Sequence, residues 1–329
     1  EEPSLIRPVS PLQDIRAYQR LLDFFRTHRF DVVHTHSSKA GILGRMAAWK
    51  ARVPLVVHTV HGQAFHPYQP WLTNRFYIAA ERFAARRCHH ICAVAQAMID
   101  QCVAARVAPP EKYSVVYSGM DLSPYLNATP DCELRKKLGI PENSPVIGKV
   151  ARLFELKGHD YLLQAAPSIV AQHPDVRFLL VGDGNLRKSL EQQVAKLGLT
   201  ENFVFAGLVP PSDIPRYMSI MDCLVHLSLR EGLPRTVVQA FASGIPAVAF
   251  ALDGTPEVVQ HGTTGYLCSA GDVEKVSTHL NHLLNDPVHR QTMGAKGRDL
   301  VVRQFDWRHM ADVLEELYLQ GRIGENGTA

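Results

Sequence analysis

The chain has 329 residues, of which 46% are hydrophobic and 20% charged, and its formal net charge at pH 7 is +3. This length is enough for two domains with their own apolar cores, and the composition is ordinary for a globular protein. No apolar run approaches the roughly 18 residues of a membrane span, and the six cysteines form no CxxC pair. These features argue against an integral membrane protein or a disulfide-rich secreted domain and predict reduced thiols in a cytoplasm.

The first part of the chain alternates helical and strand patterns. An apolar stripe at helical spacing runs from Leu12 to Phe25, and FDVVHTH then predicts a buried strand. SSKAGILGRMAAWKAR and WLTNRFYIAAERFAARR predict helices, and PLVVHTVH, HHICAVA and YSVVYSG predict strands. This alternation is typical of a parallel sheet wound with right-handed crossovers.

A second alternation follows an interruption at 129–144, where prolines and a short charged segment predict an interdomain linker. Strands are predicted at PVIGKVARL, RFLLVGDG, NFVFAG, DCLVHLS, IPAVAF and GYLC. Pro167 is expected to kink or shorten the helix after the first of these strands. The predicted organisation is an N-terminal domain over 1–128, a C-terminal domain over 145–305 and a last helical segment over 306–329.

The segment LSLREGLPRTVVQAFASGIPAVAF predicts a phosphate site. Pro234 is expected at the first position of a helix, where its fixed φ fits and its missing N–H has no cost. The amides of Gly232, Leu233 and Arg235 would then be free at a helix N-terminus, at the carboxyl end of a strand. Such amides, with the helix dipole, favour a diphosphate.

Glu231 precedes this helix and Gln239 lies within it, eight positions later. Along a helix that separation is on the order of 10 Å, roughly the span from a sugar to the ribose of a nucleotide-sugar. The Glu-x7-Gln spacing, the AFASGIPAVAF strand and the DGTPE loop resemble the signature of glycosyltransferase family 4. That family has Glu at the second position, so Gln239 departs from it.

This resemblance implies an α/β protein with the GT-B fold. Two Rossmann-like, doubly wound parallel-sheet domains face each other across a cleft, the N-terminal one on the acceptor side and the C-terminal one on the donor side. The last helix, within 306–329, crosses back toward the N-terminal domain. By the same comparison the N-terminal domain lacks the family's first strand or strands and its Gly-rich loop, as in a fragment or a reduced domain.

The resemblance also implies roles for particular side chains. Arg152 and Lys157 match the family's RxxxxKG motif, and two cations at a strand end can neutralise a leaving diphosphate without a metal. Glu231 would touch the donor sugar, His61 would lie against that sugar at the reaction centre, and Gln239 would take over part of the ribose contact. His61, Glu231, Arg152 and Lys157 are therefore the predicted catalytic residues.

Further donor-binding candidates are backbone or small positions. Gly182 and Gly184 of the VGDG segment would let the backbone approach the nucleotide, although a tight turn explains them nearly as well. Gly232, Leu233 and Thr236 complete the predicted donor site.

Acceptor-side candidates are His34, His36 and Lys39. The two histidines share one strand face beside SSKAG, a second predicted helix N-terminus that could receive an acceptor phosphate or hydroxyl. For His34 and His58 the alternative, and the favoured interpretation, is a hydrogen-bonded core histidine.

Two segments raise the alternative of a metal site: the HTH of the first strand, and CHHIC at 88–92. No HExxH motif is present, so the sequence predicts neither a metal nor a cofactor, with the nucleotide-sugar as co-substrate.

Positive charge is concentrated in the first part of the chain. Residues 1–125 contain 15 Lys or Arg and 9 Asp or Glu, a net charge of +6. Eight basic residues lie within 38–88, against Glu81 alone: Lys39, Arg45, Lys50, Arg52, Arg75, Arg82, Arg86 and Arg87. This charge is either a solvated helix face or, through basic residues 39–87, a foothold on anionic lipid at the inner face of a membrane.

The leading hypothesis is a metal-independent, retaining glycosyltransferase. It would move a hexosyl or N-acetylhexosaminyl group from a nucleoside diphosphate sugar, with UDP expected before GDP, to a hydroxyl of a glycan or lipid-linked acceptor, with no nucleic-acid partner. The alternative is a catalytically impaired nucleotide-sugar-binding or regulatory GT-B protein, which Gln239 and the missing first loop favour. A GT-B epimerase or phosphorylase is a third hypothesis, for which we find neither acid–base carboxylates nor a pyridoxal lysine motif.

We expect Gln239→Glu to lower the donor KM or leave it unchanged, because a carboxylate accepts charge-assisted hydrogen bonds from both ribose hydroxyls. Steady-state kinetics with the donor varied will measure this, with Gln192→Glu as a control for the added charge. A large loss of activity in Gln239→Glu alone would contradict the ribose role and indicate a function that needs the amide.

Overall fold

The structure, a computed structural model, describes residues 10–326, with side chains up to residue 321. It divides into two units: the described residues up to 118 together with those from 308 onward, and residues 119–307. In the described part of the chain, no helix combines the length and apolar character required to cross a membrane.

Within residues 10–326, ten strands form two sheets, and every one of them falls within a segment predicted as a strand. The strands of the first unit are β1 (Val32–His36), β2 (Leu55–Val60), β3 (His90–Ala93) and β4 (Tyr113–Val115). The strands of the second unit are β5 (Val146–Val150), β6 (Arg177–Val181), β7 (Phe203–Gly207), β8 (Cys223–His226), β9 (Ala247–Phe250) and β10 (Gly265–Cys268).

Helices connect these strands. They are α1 (Pro11–His28), α2 (Ser38–Lys50), α3 (Trp71–Ala85), α4 (Gln96–Ala104), α5 (Ser123–Leu126), α6 (Cys132–Lys137), α7 (His159–Gln172), α8 (Arg187–Lys196), α9 (Ile214–Met218), α10 (Arg235–Ala242), α11 (Thr255–Val258), α12 (Val273–Asn285), α13 (Pro287–Gln304) and α14 (Trp307–Asn326).

The first unit is a four-stranded parallel sheet in the order β1-β2-β3-β4. Strand β2 is buried along most of its length, as its nearly continuous apolar sequence predicts for a parallel strand covered on both faces. The apolar stripe of α14 packs on this sheet against Leu55 and Val57. It consists of Met310, Val313, Leu314, Leu317 and Tyr318. The last helix therefore belongs to the core of the first unit.

The second unit is a six-stranded parallel sheet in the order β10-β9-β8-β5-β6-β7. Its core contains the fully buried side chains of Leu162, Phe178, Phe250 and Leu280, which come from both sheet and helices. The chain builds outward from β5 in one direction as far as β7 and then crosses to β8 on the other side. Because the direction of winding reverses between β5 and β8, a crevice is expected at their carboxyl ends, where α/β proteins bind ligands.

The segment 129–144, predicted as a linker, lies within the second unit. Its short helix α6 is capped by Asp131, whose Oδ1 accepts a hydrogen bond of 2.8 Å from the amide of Leu134. Leu134 and Ile140 are buried. Because charged and polar residues surround Leu134 and Ile140 in the sequence, their burial was not predicted.

Pro167 does not shorten helix α7, which continues to Gln172. The expectation of a shortened helix was wrong because the proline lies on the exposed side of the helix. The apolar residues on the other side, including Leu162, Leu163 and Ile169, are buried. Their packing outweighs the hydrogen bond that the proline cannot make.

We expect Gly294→Ala to destabilise the second unit. A Cβ atom at Gly294, in helix α13, would lie 1.9 Å from the carbonyl oxygen of Gly244, so the helix must shift away from α10. The expected loss in the free energy of unfolding is about 1–3 kcal/mol, measured by urea denaturation. Lys296→Ala, at an exposed position of the same helix, is the control. Equal stability of the two variants would show that the helices separate without cost.

Candidate active site

The loop after β5 and the loop after β8 pack directly against each other. A Cβ atom at Gly158 would lie 1.9 Å from the carbonyl oxygen of Leu227, so only glycine fits there. Gly158 and Leu156 both have positive φ angles, of 66° and 64°. The amide of Leu229 donates a 2.8 Å hydrogen bond to the carbonyl of Leu156. This backbone contact fixes the two loops at the crevice.

Two of the predicted catalytic side chains meet across this contact. Lys157 Nζ donates to Glu231 Oε1 at 2.5 Å, and both side chains are partly buried. The amide of Glu231 donates a 2.8 Å bond to Asp253 Oδ2, in the DGTPE loop. The structure thus joins the RxxxxKG motif, the Glu-x7-Gln motif and the DGTPE loop in one place.

His226, at the end of β8, lies beneath this pair. Its Nε2 is 3.8 Å from Glu231 Oε1, and its Nδ1 is 3.3 Å from Thr236 Oγ1. Burial, together with the charges of Lys149 and Lys157, lowers the pKa of His226 to about 3. The imidazole is therefore neutral at physiological pH, and its contact with Glu231 is not an ion pair.

Arg152 is exposed at the start of the same loop. Its guanidinium carbon is 5.1 Å from the centre of the Phe154 ring, a cation–π contact. Its carbonyl oxygen accepts a 3.0 Å bond from His159 Nε2. Among the side chains described up to residue 321, no carboxylate pairs with Arg152. Its charge is therefore available to an anion.

Gly182 and Gly184 have a clear packing role. Cβ atoms at these positions would lie 2.1 Å from the carbonyl oxygen of Ala151 and 2.3 Å from that of Leu153. Gly182 also has a φ of 136°. The two glycines thus allow the VGDG turn to pack against the loop that carries Arg152.

The start of helix α10 differs in part from the prediction. Pro234 is the N-cap rather than the first helical residue, and its carbonyl accepts from the amide of Val237 at 2.9 Å. The amide of Arg235 is not free, because it donates a 2.9 Å bond to the carbonyl of Leu233 in a tight turn. Within residues 10–326, the amides of Gly232 and Leu233 have no hydrogen-bond acceptor. The predicted anion site is therefore reduced from three amides to two.

Gln239 lies about two turns further along helix α10 and is partly buried. Its carbonyl oxygen accepts bonds from the amide and the hydroxyl of Ser243, both at 3.1 Å. Its side-chain amide makes no hydrogen bond to another described residue, so it is available to a ligand.

Lys149 is a residue of this site that sequence reasoning missed. It is only 3% exposed, on β5, and burial lowers its pKa from 10.5 to about 7, with a further lowering by Lys157 and an opposing effect of Glu231. A lysine in the otherwise apolar strand PVIGKV was the available signal, since a charge in a strand covered on both faces is costly. His159 and His226 were also missed.

The first unit brings together the predicted histidines. His36 Nδ1 is 2.9 Å from His61 Nε2, and the rings of His34 and His36 stack with centroids 4.4 Å apart. His34 is bonded through Nδ1 to the hydroxyl of Tyr318 at 2.5 Å and through Nε2 to that of Thr59 at 2.6 Å. Burial and the neighbouring imidazoles lower the pKa of His34 to about 4. His34 is therefore neutral, with both ring nitrogens engaged.

His58 and Lys39 have partners within the first unit. His58 is buried and its Nδ1 is 3.0 Å from Thr35 Oγ1, consistent with a core histidine. Lys39 forms an ion pair with Asp14, so its charge is already compensated.

The CHHIC segment serves the first sheet. Cys88 and Cys92 are buried, His89 Nδ1 accepts a 2.8 Å bond from the amide of Val56, and His90 Nε2 is 3.0 Å from Ser114 Oγ. Among the described residues, no group of three or more His, Cys, Asp or Glu side chains is arranged to hold a metal ion.

Two parallel-sheet α/β units, with cations and a carboxylate at a winding reversal, define a Rossmann-like protein built for an anionic ligand. The sequence model of the family described as "Glycosyl transferases group 1" matches residues 131–300, and that of "Glycosyltransferase Family 4" matches residues 2–124. The chain belongs to this glycosyltransferase family, as its motifs predict.

Individual relatives agree with this assignment. A UDP-Gal:alpha-D-GlcNAc-diphosphoundecaprenol alpha-1,3-galactosyltransferase of Escherichia coli is 32% identical over 96% of this chain and 82% of its own length. A 2-deoxystreptamine glucosyltransferase of Streptomyces kanamyceticus is 32% identical over 82% of this chain and 71% of its own. The crystal structure of Anabaena Alr3699/HepE in complex with UDP-glucose has a TM-score of 0.80 and 27% identity, and the match covers 93% of this chain and 84% of that one. These matches confirm the GT-B fold class and the prediction of a glycosyltransferase.

We expect Lys149→Met to stabilise the protein. Because the buried lysine binds its proton less tightly than in the unfolded chain, the unfolded chain carries more protons between pH 7 and 10.5. The contribution of Lys149 to the free energy of unfolding therefore rises with pH in this window, and the full penalty of the buried charge is present below it. The gain on substitution at pH 7 is on the order of a few kcal/mol.

Urea denaturation at about pH 7 and about pH 9.5 measures this gain and its decrease with pH. Lys196→Met, at an exposed lysine of helix α8, controls for the change of side chain. If Lys149→Met instead lowered stability equally at both pH values, the ammonium would have a stabilising partner and the argument from burial would fail.

Proposed function

We propose that the chain is a retaining, metal-independent glycosyltransferase that uses a UDP-sugar. It transfers a hexosyl or N-acetylhexosaminyl group to a hydroxyl of a lipid-linked or glycan acceptor. The observation that carries the proposal is the group of cations at the β5–β8 crevice: the exposed Arg152, Lys157 at 2.5 Å from Glu231, and the buried Lys149. Two unpaired amides, of Gly232 and Leu233, lie in the loop that continues from Glu231.

Arg152 and Lys157 are assigned to the donor diphosphate. Arg152 has no carboxylate partner among the described side chains and can form two parallel hydrogen bonds to phosphate oxygens. Lys157 is held on Glu231 and acts as a fixed point charge. As the sugar–phosphate bond breaks, negative charge develops on the leaving phosphate, and these preorganised donors stabilise it more than they stabilise the bound substrate.

Metal independence rests on the same cations. A divalent ion would neutralise the leaving diphosphate, and here side-chain charge is in place to do so. Lys149 lies within electrostatic reach of Lys157, since the charge of Lys157 lowers the pKa of Lys149.

Glu231 and His61 are assigned to the sugar. The ion pair with Lys157 holds Glu231 in place, and its carboxylate oxygens can accept hydrogen bonds from sugar hydroxyls. His36 orients His61 through the 2.9 Å contact between their ring nitrogens. In the proposed reaction the bond from the anomeric carbon to the phosphate oxygen breaks, and the acceptor oxygen bonds to that carbon on the same face. The acceptor proton passes to the leaving phosphate, so no side chain need act as a nucleophile.

The choice of substrates rests on relatives. The names of the E. coli enzyme and of the Anabaena structure contain UDP-Gal and UDP-glucose, and the former also names a diphosphoundecaprenol-linked acceptor. Two relatives described as GDP-mannose-dependent match over smaller parts of this chain, 61% and 57%. This supports UDP before GDP and a lipid-linked acceptor before a free glycan.

A cytoplasmic location is part of the proposal. All six cysteines are free, and five of them are buried. Unpaired buried thiols fit a reducing compartment.

We expect calorimetry to detect binding of UDP, and weaker or no binding of GDP. Arg152→Ala and Lys157→Ala should each reduce UDP affinity tenfold or more, because each removes a charge-assisted contact of about 1.5–3 kcal/mol. Lys196→Ala, which removes an exposed charge elsewhere in the second unit, should bind as the unaltered chain does.

Binding with retained UDP affinity in both variants would contradict the assigned diphosphate site. Absence of binding to either nucleotide would favour the catalytically impaired alternative, in which the neutral Gln239 has weakened the ribose contact.

A further inference from the structure

Helix α3 presents large apolar side chains to solvent. Most helices bury such residues, yet on α3 four of them are largely exposed. They are Trp71 (64% exposed), Leu72 (71%), Phe76 (65%) and Phe83 (44%). The surface formed by these four residues and the arginines of 75–87 is called the α3 face below.

Leu72, Phe76 and Phe83 form one stripe, and Trp71 lies beside it next to Arg75. At about 100° per residue, positions 72, 76, 79 and 83 fall within a narrow sector of the helix. Position 79 is an exposed alanine. By the same spacing Arg75, Arg82 and Arg86 border the stripe on one side, and Arg87 borders it on the other. The result is a narrow apolar stripe between two cationic borders.

Two of these arginines also stack on the exposed rings. The guanidinium carbon of Arg75 is 5.0 Å from the centre of the Trp71 ring, and that of Arg87 is 3.6 Å from the centre of the Phe83 ring. The cationic borders and the apolar stripe are thus parts of one surface.

The α3 face has no negative charge of its own. Glu81 is the acidic residue of helix α3, and its carboxylate points to Arg45 of α2 at 2.9 Å. The Arg45 side chain is 1% exposed. This buried pair removes the carboxylate from the surface. It also shows that Arg45, included among the basic residues of the predicted foothold, cannot contact a membrane.

A groove continues the α3 face at the C-terminal end of the helix. It has a volume of about 1110 Å³, and Phe83 and Arg87 belong to both the groove and the face. Its wall includes Trp49 and the cations Arg26, Lys50 and Arg52, and among the residues that the structure describes no acidic residue lines it. The groove therefore extends the cationic surface onto helices α1 and α2.

We propose that the α3 face and the adjoining groove dock the protein on an anionic lipid membrane, with Trp71, Leu72, Phe76 and Phe83 inserted among the lipids. An interfacial helix buries its apolar side about 5–10 Å into the headgroup region while Arg and Lys meet anionic headgroups. The α3 face has this arrangement of apolar centre and cationic border.

Charge complementarity favours a membrane over the other occupants. A second copy docked by two-fold symmetry would place this cationic face against itself, which is repulsive. A nucleic acid would satisfy the arginines but would leave Leu72 and Phe76 without an apolar environment. This inference depends on neither the proposed donor nor the proposed acceptor.

The test uses the full chain and vesicles of phosphatidylcholine, with and without phosphatidylglycerol. Co-sedimentation should occur with the anionic vesicles and weaken as salt rises. The double variant Leu72→Ser/Phe76→Ser should bind at least tenfold more weakly, and so should Arg75→Gln/Arg82→Gln. Leu208→Ser removes a leucine that is 83% exposed in the second unit and is the matched control, which should bind normally.

Two further measurements make the result decisive. Thermal unfolding midpoints close to that of the unaltered chain establish that each variant is folded. The blue shift of tryptophan emission on adding anionic vesicles should become smaller in Trp71→Phe and be lost largely in Trp49→Phe/Trp71→Phe, since Trp49 lines the groove. Absent vesicle binding, or binding unaffected by Leu72→Ser/Phe76→Ser, would overturn the proposal. So would a dimer in sedimentation that this double variant abolishes, since the face would then be a protein interface.

Discussion

The contact between the backbones of Gly158 and Leu227 is the constraint on which the candidate active site of the second unit depends. The 1.9 Å that would separate a Cβ atom from the carbonyl oxygen leaves room only for hydrogen at position 158. Because the loops after two neighbouring parallel strands are in contact there, Lys157 and Glu231 meet, and Asp253 of the DGTPE loop also holds the amide of Glu231. The two glycines of the VGDG turn, which follows the neighbouring strand β6, make the same kind of close backbone contact with the carbonyls of Ala151 and Leu153. Close backbone contacts thus fix the positions of the loops that carry Arg152, Lys157 and Glu231.

The charges themselves oppose folding. Lys149 is buried, and its pKa is lowered because an ammonium group is less stable out of water. The charge of Lys157 lowers the pKa of Lys149 further. Buried groups with perturbed pKa values are common where a site is prepared for a charged ligand. Packing of the surrounding apolar core, including Phe178 and Phe250, offsets the cost of burying Lys149.

In the first unit, ion pairing decides which charges remain on the surface. The Arg45–Glu81 pair lies between α2 and α3, and the Lys39–Asp14 pair joins α2 to α1. The first pair takes the carboxylate of α3 inward, so the charged residues on the exposed side of that helix are arginines. A count of charges along the sequence includes Lys39 and Arg45 in the basic cluster, although both are neutralised by partners.

Sequence patterns were sufficient to predict where the strands lie along the chain, the parallel α/β class and the family, and to select Arg152, Lys157 and Glu231 as candidates, because periodicity and short motifs are local properties of the chain. The order of the strands within each sheet, and which charges and amides remain available, follow only from the three-dimensional packing. Lys157 and Glu231 are 74 positions apart, and their pairing requires β8 to lie beside β5. The turn that engages the amide of Arg235, the burial of Lys149 and the pairing of Lys39 likewise depend on what packs around each group. A hydrogen bond, an ion pair or a lost hydration shell is set by neighbours in space, and these neighbours come from distant parts of the sequence.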